Sequence, residues 1–179
     1  SALGLTIYQT QPDHLDDIPA NIEKLGRLAG TEATANREAA AFRKRLAALR
    51  NQYATRPAVP VFYQAWHQPL LTVGGDQIIS DVISLCGGHN IFAGLAAKAP
   101  TVSVEAVLAA DPEAIVASGM GRDTPVGLED WRQWKKLRAV TRNNLFFVPA
   151  DLMQRPTPRL LDGAEALCRH LETARSRRP

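Results

Sequence analysis

The sequence predicts an α/β fold, a parallel-sheet lobe with helices on both faces that is preceded by one long helix. Two observations predict it. From residue 55 onward, short apolar or β-rich runs alternate with amphipathic segments, the pattern of strands joined through crossover helices. Ahead of that region, Ala35, Ala39, Phe42, Leu46, Leu49 and Tyr53 recur at alternating four- and three-residue spacing, a single apolar stripe on a helix.

In chain order, Leu5 to Tyr8 reads as a short buried strand. "PDHLDDIPANIEKLGRLAG" reads as a helix with Asp16 and Asp17 at its start, Pro19 in its first turn and Gly30 at its end. Its inward face is expected to be Leu15, Ile18, Ile22 and Leu25. One strand and one helix cannot bury such a face alone, so more of this unit is expected upstream of Ser1 or from another chain. The stripe helix runs from Thr31 to about Ala54. At about 1.5 Å per residue it spans roughly 35 Å, enough to lie across or between two lobes. Its stripe is too short and too alanine-rich at one end for a free coiled coil.

After the breaker "RPAVP", "VPVFYQAW" is a strand over Val59 to Ala65 and Asp76 to Cys86 an amphipathic helix. Then come helix "VEAVLAAD", strand "EAIVAS", helix "LEDWRQWKKL", strand "NLFFVPA" and a last helix from about Pro158 to Ala174. Ser103 is placed to cap the first of these helices, with Val102 stapled onto Val107.

The chain has 179 residues, 45% of them hydrophobic and 22% charged, with a net charge of +3, an ordinary composition for a folded domain. The positive excess lies in "REAAAFRKRLAALR" and the tail "TARSRRP" rather than in a basic face interleaved with aromatics, which argues against nucleic-acid binding. No run of 18 apolar residues and no charged start followed by an apolar segment is present, so neither a membrane span nor a signal peptide is visible, and the opening residues read as mid-fold. The two cysteines each fall on the apolar side of a helix, Cys86 behind Ile79, Val82 and Ile83, and Cys168 behind Leu161 and Ala164. Two cysteines and no others suggest one bridge, which would close a loop of about 80 residues, contribute about 4 kcal/mol and place the protein outside the cytosol. Unpaired, they would serve as small buried hydrophobes.

Ligands of a parallel α/β sheet sit beyond the carboxyl ends of its strands, which makes three loops the candidates. The first carries Trp66, His67 and Gln68; the second, "SGMGRD", carries Met120 and Arg122; the third carries Asp151, Met153, Gln154 and Arg155. Together they describe an apolar and aromatic cleft with a few hydrogen-bonding groups, suited to a large organic ligand. Each has a plainer reading: Trp66 as packing, Arg155 as half of a surface ion pair. His67 has no companion at metal-site spacing, and "GMG" lacks the Lys and Ser or Thr of a phosphate loop. No "GxSxG" or "HExxH" occurs, and His14, His67, His89 and His170 are scattered singly, so enzyme activity is disfavoured. Asp16 and Asp17 are helix-start charges rather than an acid/base couple.

From Leu3 to Leu171, through "LCGGHNIF", "PTVSVEAVLAADPEAIV" and "RPTPRLLDGAEALC", the sequence resembles the class III solute-binding proteins of bacterial ABC importers. The "LCGG" cysteine together with the late cysteine is more particular to the cobalamin-binding members, while the middle segment is shared with binders of iron siderophores and haem. The resemblance implies a periplasmic, non-enzymatic protein without a cofactor, which captures cobalamin or a related corrinoid between two α/β lobes and delivers it to an ABC transporter permease. A ferric siderophore or haem is the alternative ligand, and an intracellular α/β enzyme the rival of another class. Residues 1–30 then match the end of the N-terminal lobe, 31–54 the backbone helix between the lobes, and 55–179 the C-terminal ligand-binding lobe. Trp66, together with Asp151 and Arg155, would face the ligand, and Glu105 would dock onto permease arginines. Ala99 stands where a Trp can precede the "PxVS" segment. With most of the first lobe beyond the chain, self-association through an uncovered strand edge is a further expectation.

Overall fold

The computed structural model of the chain describes residues 8–119 and 127–179. Four strands, β1 (Val59–Gln64), β2 (Gly88–Asn90), β3 (Ala114–Gly119) and β4 (Leu145–Pro149), form one sheet in the order β2-β1-β3-β4, every neighbouring pair parallel. Among the described residues seven α-helices accompany them: α1 (Asp17–Leu28), α2 (Glu32–Tyr53), α3 (Ile78–Leu85), α4 (Val104–Ala110), α5 (Arg138–Thr141), α6 (Ala150–Met153) and α7 (Leu160–Ser176). The expected α/β lobe with helices on both faces of a parallel sheet is the observed one.

Alternation along the strands divides the core in two, because successive side chains point to opposite faces. Val59, Val61 and Tyr63 of β1 with Ala114 and Val116 of β3 pack under α2, α3 and α7, whereas Phe62, Ile115 and Ala117 pack on the other face with Val107, Leu128, Trp131 and Leu137. The Cys86–Cys168 disulfide lies in the first of these cores and ties the end of α3 to α7, with both cysteines fully buried. The guanidinium of Arg175 closes the same helix end by donating to the carbonyls of Cys86 (2.8 Å) and Gly87 (2.9 Å), which follow the last turn of α3.

Every residue of the predicted stripe on α2 is buried. Gly26 of α1 lets the two helices touch, since a Cβ there would fall 2.2 Å from the Cβ of Ala35. Bidentate pairs of Arg43 with Glu23 and of Arg50 with Asp16 flank this contact, and Arg45 ties α2 to Asp162 and Glu165 of α7. Leu25 departs from expectation: it is 44% exposed, because α1 meets α2 along Ile18, Ile22 and Gly26, and Leu25 falls on the flank of that line. The strand expected over Leu5 to Tyr8 falls on residues 5–7, outside the described ones, and Tyr8 is exposed and in no strand.

Three further departures have tertiary causes. The helix expected over 128–137 is a 3-10 turn, Glu129–Gln133, followed by α5; Arg138, the first residue of α5, is taken by Asp111, which accepts from its backbone N–H (2.9 Å) and from Nε (2.7 Å). The third candidate loop begins with α6, a single helical turn. The "GHN" of β2 has no apolar run to signal a strand, yet it pairs with Val59 to Val61 at the sheet edge, while Asn90 turns its buried amide to the Val73 carbonyl and the Ser80 hydroxyl. The Ser103 cap forms as expected, its hydroxyl accepting from the backbone N–H of Ala106 at 3.1 Å, with Val102 packed in the core that holds Val107.

Candidate functional site

The strand order places the site. From β1 the chain crosses to β2 on one side and then returns to β3 on the other, so the order reverses between β1 and β3, and the crevice outside their carboxyl ends is where such a sheet receives ligands. The first candidate loop leaves β1 at this point. Trp66 is 52% exposed, and its indole N–H is already satisfied by the Gln68 carbonyl at 2.9 Å, which leaves an apolar plate facing outward. Backbone bridges of Trp66 to Leu71 and of Leu71 to Thr101 brace this loop against the segment that leads into α4.

His67 points to the side of the same loop. Gly127, at φ +88°, lies against the edge of its imidazole, where a Cβ would fall 2.0 Å from Nδ1, and the Asp130 carboxylate stands 3.6 Å from Nε2. These groups border a hollow of about 240 Å³. Its buried floor is the hydrogen bond from Trp131 to Gln64, its apolar walls are Leu70, Val104 and the half-exposed Trp134, and Gln68 and Gln133 add amides. Asp130, Gln133 and Trp134 were not singled out in the sequence, where "LEDWRQWKKL" reads as an amphipathic helix; the two tryptophans three residues apart just after the second candidate loop are the signal that could have found them. Met120 and Arg122 of that loop lie outside the described residues.

At the end of β4, Asp151 is exposed and pairs with Arg159 at 3.1 Å. Arg155 is exposed too, and no carboxylate of the described residues lies in ion-pair range of it, so its guanidinium stands open to solvent. Met153 is corrected: it is fully buried in the core beside Gly163 of α7 and lines no cleft, because the α6 turn rotates it inward while Asp151 remains outside. Glu105 sits exposed in the first turn of α4, its carboxyl held below the usual range by its own backbone N–H and by the Ser103 hydroxyl. Among the described residues no group of three His, Cys, Asp or Glu is placed to hold a metal ion, and no helix is long and apolar enough to cross a membrane.

A parallel sheet whose open end carries an aromatic plate, a separated acid and base, and an amide-rimmed hollow defines a binding lobe, and the chain belongs to the periplasmic binding protein family, whose model matches residues 5–152. It is 39% identical over 173 residues to the vitamin B12-binding protein of Vibrio cholerae serotype O1, a match that covers 96% of this chain and 62% of that protein. The crystal structure of the periplasmic vitamin B12 binding protein BtuF of Vibrio cholerae superimposes with a TM-score of 0.87 at 38% identity, over 97% of this chain and 68% of that one. Staphylococcus aureus IsdE complexed with haem shares the fold at a TM-score of 0.79 and 18% identity, over 94% of this chain and 69% of that one. The chain therefore spans less than two thirds of the curated relative's length.

Proposed function

We propose that the chain is the ligand-binding C-terminal part of a periplasmic protein that captures cobalamin or a related corrinoid and hands it to an ABC transporter permease. The observation that carries the reading is Trp66, a half-exposed indole at the carboxyl end of β1 on the switch side of the sheet, with Asp151 and Arg155 at the end of β4. An indole face takes the apolar surface of a macrocycle, and an acid and a base serve the polar arms at its rim. The identity to a vitamin B12-binding protein favours a corrin over another macrocycle. The disulfide suits an oxidising compartment. In this reading residues 8–30 continue a first lobe whose remainder supplies the opposite wall of the cleft.

The test is calorimetric titration with cyanocobalamin, with haem and a ferric hydroxamate as controls, on the chain joined to the segment of the Vibrio cholerae relative that the match leaves uncovered. One-to-one cobalamin binding that is lost in Trp66→Ala supports the reading. Binding of haem or the hydroxamate with silence toward cobalamin overturns the ligand assignment.

A further inference from the structure

We propose that the hollow beside His67 is a subsite for a neutral carboxamide arm of the ligand, and that Asp130 makes it select amides over carboxylates. The proposal rests on the corrinoid reading and deepens it, because a corrinoid carries its periphery as amides whereas haem carries carboxylates.

The hollow opens at the carboxyl end of β1, where Gln64 lines it, directly beside the loop that presents Trp66. Its volume of about 240 Å³ fits a short arm rather than a macrocycle. Its apolar walls suit a methylene stem, and the exposed part of Trp134 offers a flat surface to an amide plane. The polar groups are unequal in what they accept. A carboxylate such as Asp130 is an acceptor only and demands an N–H from its guest, while the side chain of Gln68 supplies both a donor and an acceptor. A carboxamide satisfies both; a carboxylate brings no donor and places a second negative charge beside Asp130. Gly127 keeps the space open: a larger residue at that position would drive the imidazole of His67 from its seat. Asp130 is itself mostly exposed, with a side-chain accessibility of 63%, so the discrimination is modest, about three- to tenfold, the factor for like charges about 4 Å apart that bulk water screens.

The experiment compares cyanocobalamin with its individual monocarboxylic acids, each with one amide arm hydrolysed, on the same joined protein and on its Asp130→Asn and Asp76→Asn variants. Asp130→Asn keeps the shape and the acceptor oxygen. Expected is a three- to tenfold preference for the amide over one of the acids, falling to near unity in Asp130→Asn and unchanged in Asp76→Asn, which removes an exposed carboxylate outside the hollow. Cobalamin binding with the same ratios in Asp130→Asn as in the unaltered protein overturns the subsite and leaves the corrinoid reading standing. Absence of cobalamin binding in the unaltered protein overturns the corrinoid reading and the subsite with it.

Discussion

The indole N–H of Trp131 donates to the amide oxygen of Gln64 at 2.7 Å inside the protein, where Gln64 is 2% and Trp131 4% exposed. This bond joins the last residue of β1 to the 3-10 turn at Glu129–Gln133, and both partners line the hollow beside His67. Trp131→Phe keeps most of the packing and removes the donor, leaving a buried amide oxygen unpaired. The expected cost is about 1–3 kcal/mol, read from urea unfolding. A change within about 0.5 kcal/mol, the range of an ordinary surface substitution, would show that the bond does not brace β1 against that turn.

Reducing the Cys86–Cys168 bridge releases a cross-link between residues 82 apart in sequence. In the chain-entropy model the loss is about 4 kcal/mol. Denaturation with and without a phosphine reductant measures it, and the Cys86→Ser, Cys168→Ser double variant should match the reduced form. Coincident midpoints for the oxidised and reduced protein would contradict the expectation.

Met153 and Asp151 lie on one helical turn and should respond in opposite ways. Met153→Ala empties a fully buried site and should cost about 2–5 kcal/mol of stability. Asp151→Ala removes an exposed carboxylate, should stay within about 0.5 kcal/mol, and should weaken ligand binding instead. Thermal unfolding and titration of both variants separate the two roles; a destabilised Asp151→Ala with normal affinity would reverse the assignment.

His170 gives stability a dependence on acid. Burial pushes its pKa below the usual range, with a smaller push from Arg169, against the Phe147 carbonyl; its ring stacks on Phe146 at 4.7 Å. A base whose folded pKa is depressed contributes full stability above its unfolded pKa, about 6.5, and loses it as pH falls toward the folded value. His14 runs the other way. The hydrogen bond and charge of Asp81 raise its pKa, so its contribution is complete below the unfolded value and fades as pH rises through the folded one. Unfolding measured from pH 4.5 to 8 should show His170→Leu flattening the limb below about pH 6.5 and His14→Gln the limb above it. Unchanged slopes would exclude both residues as the source.

Glu105 projects from the first turn of α4 with nothing packed over it. If Glu105 docks onto the permease, as the proposed reading expects, it should tolerate charge reversal without harm to the cleft. Glu105→Arg is expected to abolish uptake in a transport assay while ligand affinity stays within twofold, roughly the scatter of a neutral surface change. A parallel fall in ligand affinity would refute the docking role.

Much of the scaffold was legible because its signals are local or periodic. The α2 stripe, the Ser103 cap and the β1 and β3 runs each depend on spacing within one segment, and burial of a stripe follows from its spacing whatever it packs on. Where several segments compete, the reading slipped. Leu25 has the right spacing but the wrong azimuth, since only the crossing of α1 over α2 through Gly26 and Ala35 decides which edge of a broad apolar face is covered. Met153 looked like a loop residue until the α6 turn carried it inward, and the "GHN" strand exists only because β1 offers it an edge.

The site divides in the same way. By itself the sequence determined the parallel α/β class, the long helix, the placing of both cysteines on buried faces, and the loop that presents Trp66 and His67, since each follows from periodicity or from the rule that ligands meet a parallel sheet at its carboxyl ends. The tertiary structure alone decided that the two sulfurs meet, that β1 and β3 are the strands flanking the switch, and that Gly127, Asp130 and Trp134 come to stand around His67 from a segment some 60 residues away. Contacts of that range depend on how twisted strands and packed helices bring distant segments together, and no spacing within one segment records it.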